Sequence, residues 1–490
     1  MTSTFLSVAK NKNFRFFGNV EVIDTASNLQ NFIPEEINNC VPSKHHKSNK
    51  ISLANLLSRY SAVVLGYGAT SDKKLGIPGE DTCDNVYSAR EFVSWYNGHP
   101  HCLGGIDLKY IENVVIIGQG NVALDCARIL TKSVSSLEVT DLSTEALEAL
   151  RRSRIKTVTI IGRRGHAQCA FTIKELREIS KLEQVNTNII SKEVAAGETE
   201  STMQELEGIE NRPRKRIAEL IRKIADATTE RAQHQDAMMV STKTINIRFL
   251  LTPTEILTAT NPTGPGLDDP SSSYSSKPSP SSISPASHRR VTAVKVVRNT
   301  LTGPAHSQQP RMVSGDDSTV EILPCDLLIK SVGYQCEPLH SSEADSDDAV
   351  LPFDHRLHRV PHINGRVIQQ LEPSSPATTI NGLYVVGWLK RGPTGIIGTN
   401  INDAKETVGA VIQDLESQKL KDFPDISYDP FSPPLQSLNE DFSKSIPSYI
   451  TWDEFLKIDA EEQRRGQAAS PPRDRIKLLH IDEMLKIAKA

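Results

Sequence analysis

The feature that most constrains the fold is a glycine-rich turn that joins an apolar run to a helical pattern. Residues 113–118 are apolar after the first asparagine, and residues 122–130 have the pattern of a helix. A strand that leads through such a turn into a helix is the context in which a dinucleotide pyrophosphate binds. The residues predicted to hold the pyrophosphate are Gly118, Gln119, Gly120, Asn121 and Val122, followed by a small residue, Ala123. The alternative is a tight strand-to-helix turn that binds no ligand.

The end of the next strand indicates which dinucleotide would bind. Residues 157–162 form a second apolar run, and Arg163 and Arg164 follow it directly. An NAD site carries an acidic residue at this place, whereas two guanidinium groups can bind the 2′-phosphate of NADP. The arginines lie about 40 residues beyond Ala123 rather than about 20. A predicted helix at 140–154, with Ser143 as its cap, accounts for the excess. The alternative is a solvated basic turn.

The pattern along the chain predicts an α/β fold with two Rossmann-like, three-layer domains. Further strands are predicted at 61–69, 245–251, 291–297, 326–331 and 382–387, and helices at 451–489. Residues 37–50 and 259–288 are polar, the second stretch being rich in Ser and Pro, and both are predicted to lack regular structure. A length of 490 residues favours two domains.

Composition excludes several classes of function. The net charge of −4 gives no basic field for nucleic acid. The seven cysteines are odd in number and contain no CxxC pair, which argues against a disulfide framework and a cysteine-ligated metal. No apolar run reaches the roughly 18 residues of a membrane helix.

Two other segments carry candidate binding residues. A basic cluster lies on predicted helices and could attract an acidic partner, although a solvated helix face is the simpler account of it. Its members are Lys174, Arg177, Arg212, Arg214, Lys215 and Arg216. A glycine-rich segment at 382–398 could approach a flat ligand on which Trp388 stacks, or Trp388 could belong to the core.

These motifs resemble the adrenodoxin reductase family, the mitochondrial NADPH:ferredoxin oxidoreductases. The resemblance rests on the glycine turn and its helix, on Gly-Arg-Arg-Gly at 162–165, and on Gly-Trp-Leu-Lys-Arg-Gly-Pro-Thr-Gly at 387–395. It also includes 17–22, 94–98, 171–178 and 459–467, and it covers nearly the whole chain outside the two polar segments. It implies an enzyme with the cofactors FAD and NADP that passes electrons from NADPH to a ferredoxin in the mitochondrial matrix. Peripheral association with the inner membrane is a further expectation.

The resemblance also assigns roles to residues, position by position. Glu175 would bind the adenosine ribose, and Gly395 would lie where nicotinamide and flavin meet. Asp125 matches a carboxylate near the flavin and is the candidate catalytic residue. The positions that match FAD contacts are Val22, Trp388, Gly395, Ile396 and Ile397. The positions that match ferredoxin-docking residues are Arg177, Arg212 and Arg216. No metal ligand is expected.

The resemblance predicts an NADP-binding domain at 71–333, inserted into an FAD-binding domain formed by 1–70 and 334–490. In the family a G-x-G-x-x-G turn for FAD comes first, whereas the match here starts at Phe17, so we expect the N-terminal FAD segment to be lacking and FAD binding to be weakened. Two alternatives therefore stay open. One is a non-catalytic protein that binds NADP(H) or docks a ferredoxin, and the other is a reductase subunit of the amidotransferase type, which lacks the basic cluster.

Overall fold

The computed structural model describes residues 2–24, 49–102, 105–208, 210–233, 243–258, 289–313, 317–339, 350–369, 376–395, 397–421 and 449–490. The α-helices are α1 (Thr2–Ala9), α2 (Leu53–Arg59), α3 (Ala89–Tyr96), α4 (Asn121–Thr131), α5 (Val134–Glu138), α6 (Thr144–Arg152), α7 (Ile173–Ile179), α8 (Ser191–Ala196), α9 (Glu200–Leu206), α10 (Arg212–Gln233), α11 (Trp388–Arg391), α12 (Ile397–Glu416), α13 (Trp452–Gln467) and α14 (Ile481–Lys489). Short 3-10 turns lie at Pro100–Cys102, His166–Gln168 and Asp317–Thr319.

The β-strands are β1 (Val20–Ile23), β2 (Asn49–Ser52), β3 (Val63–Leu65), β4 (Ser71–Asp72), β5 (Val86–Ser88), β6 (Asn113–Ile117), β7 (Thr157–Ile161), β8 (Val185–Ile189), β9 (Lys243–Arg248), β10 (Leu251–Thr258), β11 (Val291–Thr302), β12 (Gln309–Met312), β13 (Val320–Pro324), β14 (Leu327–Lys330), β15 (Tyr334–Gln335), β16 (His362–Ile363), β17 (Arg366–Gln369) and β18 (Thr378–Val385).

The larger sheet has six parallel strands in the order β5-β14-β6-β7-β9-β8. Strand β6, in the middle of this sheet, is buried on both faces, which is why it appears in the sequence as an unbroken apolar run. Val114 and Ile116 pack into a core shared with helices, whereas Val115 and Ile117 pack against the antiparallel sheet formed by β10, β11, β12 and β13. Helices, parallel sheet and antiparallel sheet therefore form three layers, and the α/β prediction is confirmed.

The connection between β9 and β10 differs from the sequence prediction. A single strand was expected at 245–251, but β9 ends at Arg248 and β10 begins at Leu251. Leu250 has φ +58°, in the left-handed region that a leucine rarely adopts. Because this conformation is incompatible with a strand, the chain turns sharply here and enters the antiparallel sheet.

Two smaller sheets contain strands that come before and after the six-stranded and antiparallel sheets in the chain. One is parallel and pairs β1 with β2, and the other has the order β16-β17-β18-β3. Strand β3 is parallel to β18, with Val63 opposite Leu383. Between these strands and the six-stranded sheet the chain passes twice, and the two passages pair as the antiparallel strands β4 and β15.

A buried ion pair lies beside this crossing. Glu80 is 6% exposed and accepts hydrogen bonds from the backbone N–H groups of Leu75 and Gly76. Its carboxylate also accepts a hydrogen bond from Lys330 Nζ at 2.7 Å. Lys330 ends β14, so the pair attaches the incoming chain to the central sheet.

Two further predictions are tested here. The helix expected at 140–154 is α6, Thr144–Arg152, and Ser143 caps it as predicted, by accepting a hydrogen bond from the Ala146 N–H. Residues 49–50 begin β2, so the expectation that 37–50 lacks regular structure is wrong for them. The rest of that segment and 259–288 lie outside the described residues.

The C-terminal segment, residues 449–490, contains the two predicted helices as α13 and α14. Ile450 exchanges backbone hydrogen bonds with Gly18 at 2.7 and 2.9 Å. Further along, Arg473 donates to the Leu142 carbonyl at 3.3 Å, and Lys477 pairs with Asp141 at 3.4 Å. This segment therefore links the first described strands to the region around α6. In the described part of the chain no helix combines the length and apolarity that a bilayer crossing requires.

Candidate functional site

The glycine turn lies at the carboxyl end of β6, between β7 and β14 on either side. Gly118 has φ +125°, and a Cβ atom there would lie 2.1 Å from the Ser331 carbonyl oxygen, so no other residue fits. Gly120 is the N-cap of α4, carries no side chain to cap it, and faces open space. Ala123 is fully buried, as expected for the small residue that packs the helix on the strand. The start of α4 is therefore open to an anion.

The side chains of Gln119 and Asn121 attach the turn to the backbone of two neighbouring segments. Gln119 Nε2 donates to the Arg248 carbonyl at 2.7 Å, and Asn121 Oδ1 accepts from the Thr172 N–H at 2.8 Å. Since Gln119 Nε2 and Asn121 Oδ1 are used within the protein, the donors left for a pyrophosphate are backbone N–H groups of the turn, including that of Val122, and the side-chain N–H groups of Asn121. Binding of a ligand by these residues stays a prediction.

The two arginines lie at the end of β7, next to the turn in the sheet. Arg163 and Arg164 are both exposed. In the described part of the chain neither forms an ion pair, which leaves both guanidinium groups available to a 2′-phosphate.

Glu175 lies in the first turn of α7, close to the glycine turn because Asn121 holds Thr172. Its Oε2 atom is buried and has no hydrogen-bond partner among the described residues. A buried carboxylate oxygen without a donor is costly, typically about 1–3 kcal/mol or more. A ribose hydroxyl would supply the donor, which fits the role expected for Glu175.

Asp125 lies one turn further along α4 and pairs with Arg128 at 2.7 Å. Helix α4 packs on α3, and Arg90 of α3 pairs with Asp72 of β4 at 2.9 Å. Asp72 lies opposite Tyr334 in the β4–β15 pair, and Tyr334 stacks on Trp388, with ring centroids 5.4 Å apart. These contacts connect the helix that carries the candidate catalytic residue to the glycine-rich segment.

The glycine-rich segment is shaped to leave space beside Trp388. Gly387 and Gly392 have φ +69° and +84°, and a Cβ atom at either would meet nothing within 4 Å. Trp388 is half-buried and packs against the same core as Val22. Next to it, Lys390 is 2% exposed and pairs with Asp403 at 3.1 Å, which fixes α11 on α12.

The residues present therefore fit the flavin end of an FAD molecule, with an aromatic ring and open backbone side by side. Gly395 also has a positive φ, +86°. Ile396 lies outside the described residues, and of Ile397 only the backbone, at the start of α12, is described. Contacts of FAD with Val22, Trp388 and Gly395 stay predictions.

The basic cluster is assembled by the packing of α7 on α10. Arg177, Arg212 and Arg216 are all exposed. Helix α10 also packs on the 3-10 turn His166–Gln168, which follows Arg163 and Arg164 in the same loop. The basic cluster therefore borders the loop that carries the two candidate 2′-phosphate-binding arginines.

Sequence reasoning missed the buried polar residues beneath the turn. Arg248 is 8% exposed and pairs with Glu193, itself 1% exposed, at 2.7 Å. Asn299 is 5% exposed and contacts the arginine loop. An arginine directly after the apolar residues of β9 was a visible signal, whereas nothing in its local sequence distinguishes Asn299.

Comparison with known proteins identifies the family. The chain is 36% identical over 439 residues to the mitochondrial NADPH:adrenodoxin oxidoreductase of Arabidopsis thaliana, covering 89% of this chain and 79% of that protein. The chain belongs to the NADPH:adrenodoxin oxidoreductase family. NADPH-ferredoxin reductase FprA of Mycobacterium tuberculosis is 31% identical over 491 residues, covering 99% of this chain and 86% of that protein. No protein-family model matches the chain.

A solved structure extends the similarity to the fold. The structure of FprA in complex with NADPH matches 100% of this chain and 86% of its own chain, with a TM-score of 0.72 at 30% identity. The predicted membership of the adrenodoxin oxidoreductase family, an oxidoreductase family, is therefore confirmed. Relatives in this family come from mitochondria and from a bacterium.

Proposed function

We propose that this protein is an FAD-dependent NADPH:ferredoxin reductase. The observation that carries the proposal is the glycine turn at the start of α4, open at Gly120, beside two exposed arginines at the end of the next strand. FprA, which was solved with NADPH, matches the whole chain. The partner would be an acidic, adrenodoxin-like ferredoxin.

In the proposed mechanism the chain's residues bind and orient the two cofactors. The N–H groups at the start of α4 would hold the NADP pyrophosphate, Arg163 and Arg164 the 2′-phosphate, and Glu175 the ribose. Trp388 and the backbone at Gly395 would hold the flavin. FAD, when bound, supplies the chemistry that accepts two electrons from NADPH and releases them one at a time. Asp125 and Arg128 would place an ion pair at the junction of the two sites.

The domain division follows from the same proposal. We propose an NADP-binding domain at 71–333 inserted into an FAD-binding domain formed by 1–70 and 334–490. The β4–β15 pair lies at both proposed boundaries. The finer assignments are also proposals: the mitochondrial matrix, peripheral association with the inner membrane, and a ferredoxin that serves haem monooxygenases and iron–sulfur cluster assembly.

The reductase reading is tested by purifying the chain and recording its absorbance and its NADPH-dependent reduction of a [2Fe–2S] ferredoxin. We expect a yellow protein that reduces the ferredoxin. A colourless protein that takes up no added FAD, yet binds NADPH, would contradict this function and support the non-catalytic alternative.

The cofactor preference has its own test. Two guanidinium groups on one phosphate contribute about 1.5–3 kcal/mol each. Arg163→Ala together with Arg164→Ala should therefore weaken the binding of NADPH about a hundredfold or more. The binding of NADH should weaken far less. Equal losses for the two nucleotides would refute the assignment.

The docking surface is tested by charge reversal. Arg212→Glu with Arg216→Glu should raise the KM for an acidic ferredoxin strongly at low salt and weakly at high salt, because the attraction is screened. Lys223→Glu is the matched control, since Lys223 is an exposed cation further along α10. An equal effect of both variants would argue against a specific docking site.

A further inference from the structure

The backbone of the arginine loop is held from outside the loop. The Arg163 carbonyl accepts a hydrogen bond from Asn299 Nδ2 at 2.7 Å. The Arg164 carbonyl accepts one from the Leu250 N–H at 3.1 Å. Each arginine thus has its peptide fixed while its side chain stays exposed.

The amide of Asn299 is itself fixed in orientation. Its Nδ2 also donates to Thr252 Oγ1 at 2.8 Å, and its backbone N–H donates to the Leu250 carbonyl at 2.8 Å. Rotating the amide by half a turn would place its oxygen against the Arg163 carbonyl, so the buried donor has one favourable position. Asn299 is 5% exposed, which keeps water from replacing it.

The partner residue on the other side, Leu250, adopts a strained conformation. Its φ is +58° and its side chain is 2% exposed. Strain of this kind persists only where the surrounding structure fixes the backbone. Here it turns the chain so that the Leu250 N–H faces Arg164 and its carbonyl faces Asn299.

The same segment also contacts the pyrophosphate turn. The Arg248 carbonyl accepts hydrogen bonds from Gly162 N at 3.1 Å and from Gln119 Nε2 at 2.7 Å. Residues 248–250 together with Asn299 therefore form one support that sets the distance between the turn and the two arginines.

We propose that Asn299 is a positioning residue that sets the selectivity of this protein for 2′-phosphorylated nucleotides, by fixing the peptide of Arg163. This inference rests on the proposed role of Arg163 and Arg164. Without the Asn299 donor, the arginine loop loses the hydrogen bond that holds it against β11. The two guanidinium groups then sample more positions. Ligands that lack the 2′-phosphate do not sense this loss.

The test compares adenosine 2′,5′-bisphosphate with AMP, by titration calorimetry on the purified full chain. Asn299→Leu removes the donor and keeps the volume. We expect about tenfold weaker binding of the bisphosphate, the effect of one hydrogen bond to the loop, and less than about a twofold change for AMP. Thr300→Val is the control, because Thr300 lies on the same strand but is exposed. This variant should bind both ligands as the parent protein does.

The same substitution in a variant that lacks the two arginines distinguishes a positioning role from a general loss of structure. In Arg163→Ala with Arg164→Ala, the addition of Asn299→Leu should weaken neither ligand further, because residues that act through one another are non-additive. If Asn299→Leu does not fold, Asn299→Ser, which is too short to reach the Arg163 carbonyl, replaces it in both backgrounds.

Each outcome decides between the readings. A selective loss that disappears in the arginine-free background supports the inference. Equal losses for both ligands, additive losses, or no loss overturn it while leaving the role of the arginines intact. If the arginine variant alone binds both ligands as the parent does, the proposed NADP site fails and this inference fails with it.

Discussion

Replacing Glu193 by alanine removes the carboxylate at the centre of the polar network beneath the glycine turn. Glu193 is 1% exposed. It accepts hydrogen bonds from Arg248 Nε at 2.9 Å, from Arg298 Nη1 at 3.1 Å and from the Phe249 N–H at 2.9 Å. The substitution leaves the Arg248 Nε–H and the Phe249 N–H without an acceptor in a buried site, whereas Arg298, whose side chain is 41% exposed, can turn to water.

The expected loss is about 4 kcal/mol of unfolding free energy. Breaking a buried ion pair by deleting one partner costs about 3–5 kcal/mol. Arg248 keeps its two hydrogen bonds to Glu321, at 2.9 and 2.8 Å, which favours the lower part of that range. The Phe249 N–H left unsatisfied adds about 1 kcal/mol or more. Glu193→Gln keeps the volume and one of the two acceptor oxygens, so it should cost less, about 2 kcal/mol.

Urea denaturation followed by far-UV circular dichroism measures both values. The control is Glu148→Ala, which removes an exposed partner of Arg151 and Arg152 and should cost less than about 1 kcal/mol. If Glu193→Ala were no more destabilising than Glu148→Ala, the network could not be the support that its burial indicates.

Four other substitutions test three separate parts of the structure. Gly118→Ala should unfold the turn because its Cβ would strike a backbone carbonyl at 2.1 Å, whereas Gly120→Ala should keep the melting temperature and lose NADPH affinity, both measured by thermal shift with and without nucleotide. Burial, reinforced by a nearby arginine, lowers the pKa of His166 from 6.5 to about 4. The unfolded state therefore takes up a proton first, and about 3 kcal/mol of stability is lost as the pH falls from 6.5 to 4, a contribution that His166→Leu should remove from the slope measured in urea titrations at several pH values. Although burial opposes it, the hydrogen bond from Lys330 and those from two backbone N–H groups lower the pKa of Glu80, so its contribution is present above pH 4.5 and is lost below that value. Glu80→Gln should flatten the stability profile below pH 4.5, and an unchanged profile would contradict the buried pair.

Local signals in the sequence predicted the parts of the site that are contiguous in the chain. The turn at Gly118, the strand before it and Arg163 and Arg164 after β7 all follow from periodicity and residue type within a short stretch. The basic residues Arg212 to Arg216 were expected on a helix, and they lie in the first turns of α10.

What could not be predicted depends on contacts between distant segments. Asn299 lies 136 residues from the carbonyl that it holds, and no local pattern distinguishes it from other strand residues. The break at Leu250 was missed because its left-handed backbone is imposed by tertiary hydrogen bonds and opposes the preference of leucine. The unpaired oxygen of Glu175 likewise becomes visible only when α7 is placed against the turn.

The pairing of β3 with β18 has a consequence for how the protein forms during translation. The strands of the six-stranded sheet lie in one continuous stretch from Val86 to Lys330, so they can assemble while the ribosome is still at work. In contrast, the strand that contains Val63 gains its parallel neighbour only after Leu383 has been synthesised. Gly18 can form its backbone hydrogen bonds with Ile450 only later still. The strand at Val63 is therefore made before the six-stranded sheet but completed after it, and until then its apolar residues are available to chaperones.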